Sequence, residues 1–318
     1  MMKCRKCSGN ASINMRQHKL PLCREHFIEW IPAQTQRAIE SYKMFEFRDR
    51  VLVAVSGGKD SLALWDVLNG LGYRADGLYI DLGIESSQYS QQSRARTEAF
   101  AQANGLDLFS VRVEDELGAG VPPAAALTRR GRGKPCSVCG LTKRNIMNRF
   151  ARENGYDVLV TGHNLDDEAA TLFGNTLNWQ VGYMRRQWPV LEARSGFVRK
   201  AKPFCRLYER ETAAYSFLRS IDYIDQECPY AIGAKSIYYK ELLNRMERER
   251  PGAKLSFFLS FLRAKEQMRF VETQTGTDFS TCAECGGPTT ADGLCSFCRL
   301  KERVHQRVGM SERTPSYD

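Results

Sequence analysis

The spacing of the cysteines constrains this chain more than any other feature of its sequence. Two short segments each carry two pairs of zinc-type ligands, and two residues separate the members of every pair. The ligands are Cys4, Cys7, Cys23 and His26 in the first segment, and Cys282, Cys285, Cys295 and Cys298 in the second. Such paired knuckles are typical of closed tetrahedral zinc sites. Both segments are too short to bury a core, so zinc is expected to supply their folding free energy.

These two segments divide the 318-residue chain into parts. We expect an N-terminal zinc-binding module over residues 1–30, a catalytic domain over 45–270 and a C-terminal zinc ribbon over 278–304. Residues 305–318 contain few apolar side chains and are expected to form a disordered tail.

The composition bears on the charge of the chain's partner and on its cellular compartment. It has 46 Lys and Arg residues against 37 Asp and Glu, and this net charge of +9 favours an anionic partner such as nucleic acid. The sequence has no run of about 20 apolar residues and no secretory signal, so we expect a cytoplasmic protein without a membrane span. Eleven cysteines in a reducing compartment favour metal ligation over a disulfide framework.

The central region alternates short apolar runs with amphipathic segments. The runs Val51–Val55, Gly77–Ile80, Leu106–Val113 and Val158–Thr161 are predicted strands. The segments between and after them have helical spacing, namely residues 61–71, 93–104, 141–153, 166–177 and 209–219. A further strand is expected to end at Ile224. This alternation predicts an α/β fold, with a central parallel sheet covered by helices and flanked by the two zinc modules.

The first predicted strand runs directly into Ser-Gly-Gly-Lys-Asp-Ser, residues 56–61. Glycines at a strand's carboxyl end let the backbone approach a ligand closely, and the start of the next helix favours an anion. Lys59 adds positive charge, and the hydroxyls of Ser56 and Ser61 add donors. The pattern is neither a Walker A loop nor a dinucleotide fingerprint, and it predicts a different kind of phosphate-binding loop.

A second strand end carries Gly162 followed by His163-Asn164-Leu165-Asp166-Asp167. Glycine again permits close approach, and a carboxylate there can bind Mg²⁺ or a hydroxyl group. Asp167 is the candidate functional carboxylate. The alternative is that Asp166 and Asp167 only begin a helix and oppose its dipole, and the residues themselves leave this open. His163 is assigned no chemistry.

Three further cysteines lie in the central region. Cys136 and Cys139 form a C-x-x-C pair at a predicted helix start, where thiol pKa values are lowered, and Cys228 lies far downstream. Three thiolates can bind three irons of a [4Fe–4S] cluster and leave the fourth open. A three-cysteine zinc site and a redox C-x-x-C pair are the alternatives. Lys143 lies one helical turn past Cys139 and can project toward the same site, and Cys205 has no partner at ligand spacing.

Basic residues cluster in three places outside these sites. The run Arg129-Arg130-Gly131-Arg132-Gly133-Lys134 precedes Cys136, and both zinc segments carry Arg and Lys side chains. Contacts to an RNA backbone and simple solvation are both compatible with such charge.

In order along the chain, the motifs are the four zinc-type ligands of the first segment, SGGKDS, CSVCGLTKR, TGHNLDDEA, ECPYAIGAKS and the four zinc-type ligands of the second segment. The six-residue loop resembles the PP-loop of the ATP pyrophosphatases, which have an adenine nucleotide alpha hydrolase-like fold. As a whole, the chain from Cys4 to Cys298 resembles the TtuA branch of the tRNA 2-thiolation family, enzymes that thiolate the uridine or ribothymidine at position 54 of the T-loop.

The resemblance implies a role for each matching residue. ATP would contact Ala54, Ser56, Gly57, Gly58, Lys59, Asp60, Ser61, Ile80, Lys143, Gly162 and Asp167. Lys143 and Asp167 would be catalytic, and Cys136, Cys139 and Cys228 would hold a [4Fe–4S] cluster. Two Zn²⁺ ions and Mg²⁺ with ATP would complete the cofactors. The implied partners are tRNA, a ubiquitin-like sulfur carrier ending in a thiocarboxylate, and a second copy of the chain in a homodimer.

The implied reaction is adenylation of the uridine C2 oxygen by ATP, followed by its replacement with sulfur. Thiolation of an anticodon-loop base, either a wobble uridine or a cytidine, is the alternative within the enzymes. A zinc-ribbon RNA-binding scaffold without catalysis is the alternative from another class. The sequence does not distinguish the sulfur carrier or the set of tRNAs.

Overall fold

A six-stranded sheet forms the centre of the computed structural model, which describes residues 2–128, 130, 135–267 and 279–311. The strand order is β5-β4-β3-β6-β8-β7, and every neighbouring pair is parallel except β7 and β8. Its strands are β3 (Arg50–Val55), β4 (Arg74–Asp81), β5 (Leu108–Arg112), β6 (Val158–Thr161), β7 (Val190–Leu191) and β8 (Arg199–Ala201). The predicted α/β fold with a central parallel sheet is confirmed.

Two-stranded hairpins lie near either end of the chain. The first pairs β1 (Ile13–Met15) with β2 (Leu20–Leu22), and the second pairs β9 (Ser280–Thr281) with β10 (Pro288–Thr289).

Helices cover both faces of the sheet. Those up to β6 are α1 (Arg24–Ser41), α2 (Lys59–Gly70), α3 (Tyr89–Asn104), α4 (Val113–Leu117), α5 (Val121–Ala126) and α6 (Cys136–Glu153). The later ones are α7 (Leu165–Leu177), α8 (Val181–Arg186), α9 (Glu209–Leu218), α10 (Lys235–Glu249), α11 (Ala253–Gln267) and α12 (Ser296–Ser311).

Strand β3 separates two hydrophobic cores because its side chains alternate between the faces of the sheet. Val51 and Val53 pack into the core that contains Trp65, whereas Leu52 packs with Leu159 on the other face. Both faces of the strand are therefore buried, which explains its continuous apolar sequence.

The two terminal modules are built into these cores. Cys4 and Cys23 belong to the first core, and Cys282, Cys295 and Cys298 belong to the second. Gln17 and His18 of the N-terminal module also contact the Glu211 carboxylate, at 2.5 and 3.0 Å. Metal bound at either end would consequently stabilise packing around the central sheet.

Several local expectations differ from the structure. The strand expected to end at Ile224 does not form; this segment runs without secondary structure and makes one backbone hydrogen bond to the phosphate loop. Helices α10 and α11 have no counterpart in the sequence prediction. The boundary expected at residue 305 falls inside α12, which continues to Ser311. Positions 129, 131–134, 268–278 and 312–318 lie outside the described residues. In the described parts of the chain, no helix is long and apolar enough to cross a bilayer.

Candidate active site

The loop between β3 and α2 has the geometry of an anion cradle. Gly57 has a φ of +74°, and a Cβ at this position would lie 2.4 Å from the Ser93 carbonyl oxygen. Gly58 is the N-cap residue of α2 and supplies no capping side chain, so the first N–H groups of the helix can face a ligand. Ser61 Oγ accepts from the Ser56 N–H at 3.1 Å and donates to the Gly58 carbonyl at 3.0 Å, which fixes the turn.

Gly57→Ala is expected to lower the free energy of unfolding by about 2 kcal/mol or more, because it combines left-handed strain with a backbone clash. Gly70→Ala is the matched control: the same substitution at the end of α2 meets nothing within 4 Å and should change stability by less than about 1 kcal/mol. Urea unfolding of both variants measures the difference. Equal stabilities would mean that the loop is not held as described.

The TGHN segment after β6 closes against the same loop. A Cβ on Gly162 would lie 2.8 Å from the Asp60 carbonyl and 2.9 Å from the Ser61 nitrogen, so only glycine fits without a backbone shift. Asn164 Nδ2 donates to Asp60 Oδ1 at 3.2 Å, and the Thr212 hydroxyl donates to the same oxygen. Burial raises the pKa of Asp60, although Lys59 and Thr212 act in the opposite direction.

The two neighbouring aspartates at the start of α7 have different surroundings. Asp166 is buried, receives the Glu209 N–H at 3.0 Å and pairs with the buried ammonium of Lys254. Asp167 closes a capping box with Asn164, and it is the more exposed of the pair, with 28% of its side chain accessible against 4% for Asp166. Asp167 is thus the one of the two whose carboxylate is accessible to a ligand.

Four helices meet in one ion-pair network beside the phosphate loop. Lys59 contacts Asp60 at 3.0 Å and Glu209 at 2.8 Å, while Lys240 contacts Asp167 at 2.7 Å and Glu209 at 3.0 Å. Burial alone would raise the pKa of Glu209, but Lys240 and Lys59 outweigh it and lower this pKa to about 2. The same carboxylates raise the pKa of both lysines despite burial. The network holds Lys59 and Asp167 in fixed positions at the carboxyl end of the sheet.

The three central cysteines lie close enough to affect one another electrostatically. Cys136 and Cys139 lie in the first turn of α6, and the Cys136 thiol donates to the carbonyl of Tyr230, two residues after Cys228, at 3.5 Å. The lowered thiol pKa expected at this helix start is wrong for Cys139, because burial raises its pKa. Lys143 opposes this shift, and the thiols of Cys228 and Cys136 add to it. The segment before Cys228 is tied to the phosphate loop by a bond of 2.8 Å from the Ile224 N–H to the Gly57 carbonyl.

The distances between ligand atoms distinguish the two terminal sites from the three central cysteines. The Cys7 and Cys23 sulfurs lie 3.9 Å apart, and those of Cys285 and Cys295 lie 3.8 Å apart. A tetrahedral zinc with bonds of about 2.3 Å to sulfur requires a separation of about 3.8 Å. In both terminal sets all four ligand atoms lie within 4.8 Å of one another, whereas the three central sulfurs do not form such a set. A multinuclear cluster suits the wider spacing, because each cysteine binds a different metal atom.

Lys143 acts electrostatically on residues of two segments of the candidate site. Its positive charge acts to lower the pKa of Cys139 and that of His163. Burial is the main cause of the lowered His163 pKa; Lys202 and Lys143 add to it, and acidic neighbours oppose it. His163 Nδ1 lies 2.7 Å from the Thr161 hydroxyl, which is consistent with an orienting role for this histidine.

The remaining candidates lie on the neighbouring strand ends. Ala54 is paired with Leu78 and Thr161, and Ile80 is the second-last residue of β4. Ile80 is 8% exposed, so it can offer only an apolar contact at this edge.

Sequence reasoning did not identify Glu209, Lys240, Asn164 or Thr212 as site residues. Glu209 is the first residue of α9, and the sequence predicted this helix, which is only a weak indication of a site residue. Lys240 lies on α10, a helix that the sequence pattern did not predict.

Residues 3–28 match the model of the family described as the N-terminal LIM domain of the 2-thiouridine synthetase TtuA, and residues 32–180 match the PP-loop domain. The chain is 48% identical over 314 residues to the tRNA-5-methyluridine(54) 2-sulfurtransferase of Thermus thermophilus, covering 99% of this chain and 95% of that protein. It is 42% identical to the protein of the same name from Thermotoga maritima, covering 99% and 100%. The solved U34-tRNA thiolase NcsA from Methanococcus maripaludis, with its [4Fe–4S] cluster, has the same fold, with a TM-score of 0.78 at 24% identity over 95% of this chain and 96% of that one.

Proposed function

The chain belongs to the TtuA family of tRNA-5-methyluridine(54) 2-sulfurtransferases, and from this membership we propose how its residues thiolate C2 of the nucleoside at position 54 of tRNA. The chain is a tRNA sulfurtransferase with a PP-loop. The observation that supports the residue assignments best is the Ile224–Gly57 hydrogen bond, because it brings the segment that carries Cys228 to the phosphate loop.

ATP binds with its phosphates on the N–H groups at the start of α2, where Lys59 and the Ser56 and Ser61 hydroxyls neutralise and orient them. Asp167 binds the accompanying Mg²⁺ through its accessible carboxylate. Ala54 and Ile80 border the nucleoside, and Gly162 leaves room for close approach of the triphosphate.

The C2 oxygen of the uridine attacks the α-phosphorus of ATP, and pyrophosphate leaves. The oxygen then carries AMP, a good leaving group. The N3 proton of the uridine is lost as the oxygen is adenylated. Sulfur then adds to C2 at the sulfide level, as HS⁻, and its proton passes to N3. Negative charge develops on the oxygen as its bond to C2 breaks, and AMP departs. We assign to Lys143, whose ammonium group acts electrostatically on both Cys139 and His163, the stabilisation of this negative charge.

Cys136, Cys139 and Cys228 would hold a [4Fe–4S] cluster, which when bound supplies a site for the incoming sulfur. The exposed thiol of Cys136 and the partly buried thiols of Cys139 and Cys228 leave the group open to solvent on one side. Two Zn²⁺ ions occupy the terminal ligand sets, whose sulfur spacing fits zinc. Sulfur arrives on a ubiquitin-like carrier with a C-terminal thiocarboxylate, and the enzyme acts in the cytoplasm as a homodimer.

Anaerobically purified protein incubated with ATP, Mg²⁺, sulfide and unmodified tRNA should form 2-thiouridine derivatives at position 54. Mass spectrometry of nuclease fragments locates the sulfur. Thiolation confined to the anticodon loop would contradict the assigned position, and absence of AMP and pyrophosphate release would contradict catalysis altogether.

Lys240→Met is expected to reduce the rate of thiolation about tenfold or more, because Asp167 and Glu209 lose the cation that positions them. Glu209 has a lowered pKa, so its ion pairs are complete above its ordinary value of 4.5 and are lost as the pH falls toward about 2. Without Lys240 this pKa should rise and the acid limb of the activity profile should move to higher pH. Lys240→Arg should restore most of the rate. An unchanged pH profile in Lys240→Met would argue against the positioning role.

A further inference from the structure

Two basic segments that are about 170 positions apart meet in one cavity. The cavity measures about 200 Å³ and is lined by Thr128, Arg130, Ser296, Arg299, Leu300 and Arg303, a set that we name the arginine pocket. Arg130 belongs to the Arg/Gly-rich run before Cys136, and the other arginines belong to α12 of the C-terminal module.

Packing holds the arginines in place. Leu300 and Val304 are buried in the second core, so the adjacent Arg299 and Arg303, one helical turn apart, remain exposed on the side of α12 that faces Arg130. Arg307 donates to the Leu127 carbonyl and anchors α12 to the segment that leads to Arg130.

The three guanidinium groups carry unbalanced charge. Neighbouring cations have partners: Lys301 pairs with Glu284 at 2.9 Å, and Arg149 pairs with Glu116. Within the described parts of the chain, no carboxylate pairs with Arg130, Arg299 or Arg303. Like charges spaced in this way destabilise a free protein, and an anion in the pocket would relieve the repulsion.

The arginine pocket adjoins a groove on one side and the first turn of α6, which carries Cys136, on the other. A groove of about 270 Å³ shares Ser296 and Arg299 with the pocket and adds Arg144, Lys200 and Phe197. On the other side, the Ser137 hydroxyl donates to the Arg130 carbonyl at 2.9 Å, and Ser137 follows Cys136 directly. A chain with repeated negative charges can therefore follow these cations toward the first turn of α6.

We infer that the arginine pocket binds a backbone phosphate of the tRNA substrate and fixes the substrate next to the central thiols. The inference rests on the proposed function for the identity of the RNA. Arginine is suited to this role because its guanidinium group binds phosphate oxygens in pairs. A free nucleotide would fill one pocket but would not use the groove beyond it.

The test compares the double variant Arg299→Gln/Arg303→Gln with the control Arg37→Gln/Arg74→Gln. The control removes the same charge from exposed positions on α1 and at the amino end of β4, opposite the strand ends that form the site. Affinity of the full-length, zinc-loaded protein for unmodified tRNA is measured by fluorescence anisotropy at several KCl concentrations, together with the thiolation rate and zinc content.

The pocket variant should show a Kd raised about tenfold or more. A plot of log Kd against log salt should have a slope lower by about one, because the two arginines neutralise one phosphate. Its KM for tRNA should rise while kcat at saturating tRNA and the affinity for ATP stay near those of the control. Equal Kd and slope in the two double variants would overturn the inference. Loss of zinc in the pocket variant would also overturn it, since the arginines would then serve to balance the zinc thiolates.

Failure of the proposed function would give a different result. In that case the protein without substitutions would not thiolate position 54. The comparison of tRNA affinity between the two double variants would still decide whether the pocket holds a phosphate.

Discussion

Cys228→Ala is expected to lower the rate of tRNA thiolation by at least about a thousandfold and to leave ATP binding intact. The structure gives the reason for both parts of this expected result. Cys228 is one of the three proposed cluster ligands, and its thiol acts electrostatically on Cys139, so the substitution would remove one ligand of three. The backbone contact from Ile224 to Gly57 needs no side chain at position 228 and should persist.

The measurements are the iron content and visible spectrum of anaerobically purified protein, the yield of thiolated tRNA and the affinity for ATP. Cys205→Ala is the control, because Cys205 is fully buried in the first core and has no ligand partner. That variant should keep its iron and its activity, with a modest loss of stability from the small cavity. A Cys228→Ala protein that retained normal thiolation would refute the cluster assignment.

Cys23→Ala is the second substitution with a large expected effect, this time on stability. Zinc binding at a structural site contributes roughly 10–16 kcal/mol of apparent free energy, and removal of one of its four ligands forfeits most of it. Because Cys4 and Cys23 lie in the first core with Phe27, the damage should not stay local. The contacts of Gln17 and His18 with Glu211, which caps α9, would be lost as the module opens.

We expect Cys23→Ala to bind one zinc where the unchanged protein binds two, and its Tm to fall by about 10 °C or more. Metal analysis and calorimetry check the two parts separately. Cys205→Ala again serves as the control, since it also removes a buried sulfur but no ligand. Full zinc content in the Cys23→Ala protein would show that this ligand set does not bind the metal.

The ion-pair network connects the phosphate loop to the helix that follows Cys228. Glu209 connects Lys59 of the loop to Lys240 of α10, and Lys240 connects onward to Asp167. The segment with Cys228 leads directly into α10, which begins at Lys235. Binding of ATP phosphates by Lys59 would weaken its pair with Glu209, so occupancy of the loop bears on the position of the helix that follows the third thiol.

The sequence alone determined the features that depend only on residues close together along the chain. The turn after β3 needs glycine at position 57 because of its positive φ, and such a requirement is visible in six consecutive residues. Zinc ligands in short knuckles are equally local, and both sets assemble as their spacing predicts. The buried strands β3 and β6 were recognisable because a strand covered on both faces must be apolar throughout.

Tertiary structure alone decided the contacts that join distant segments. Lys240 reaches Asp167 and Glu209 because α10 packs on α7, and an ion pair leaves no periodic trace in a sequence. The segment before Ile224 has the composition of a strand, but it pairs with none of the described strands, and the Ile224 N–H bonds to the Gly57 carbonyl instead. The approach of Arg130 to Arg299 and Arg303 likewise follows from the burial of Leu300 and Val304, because hydrophobic packing sets where α12 lies and the charges follow it.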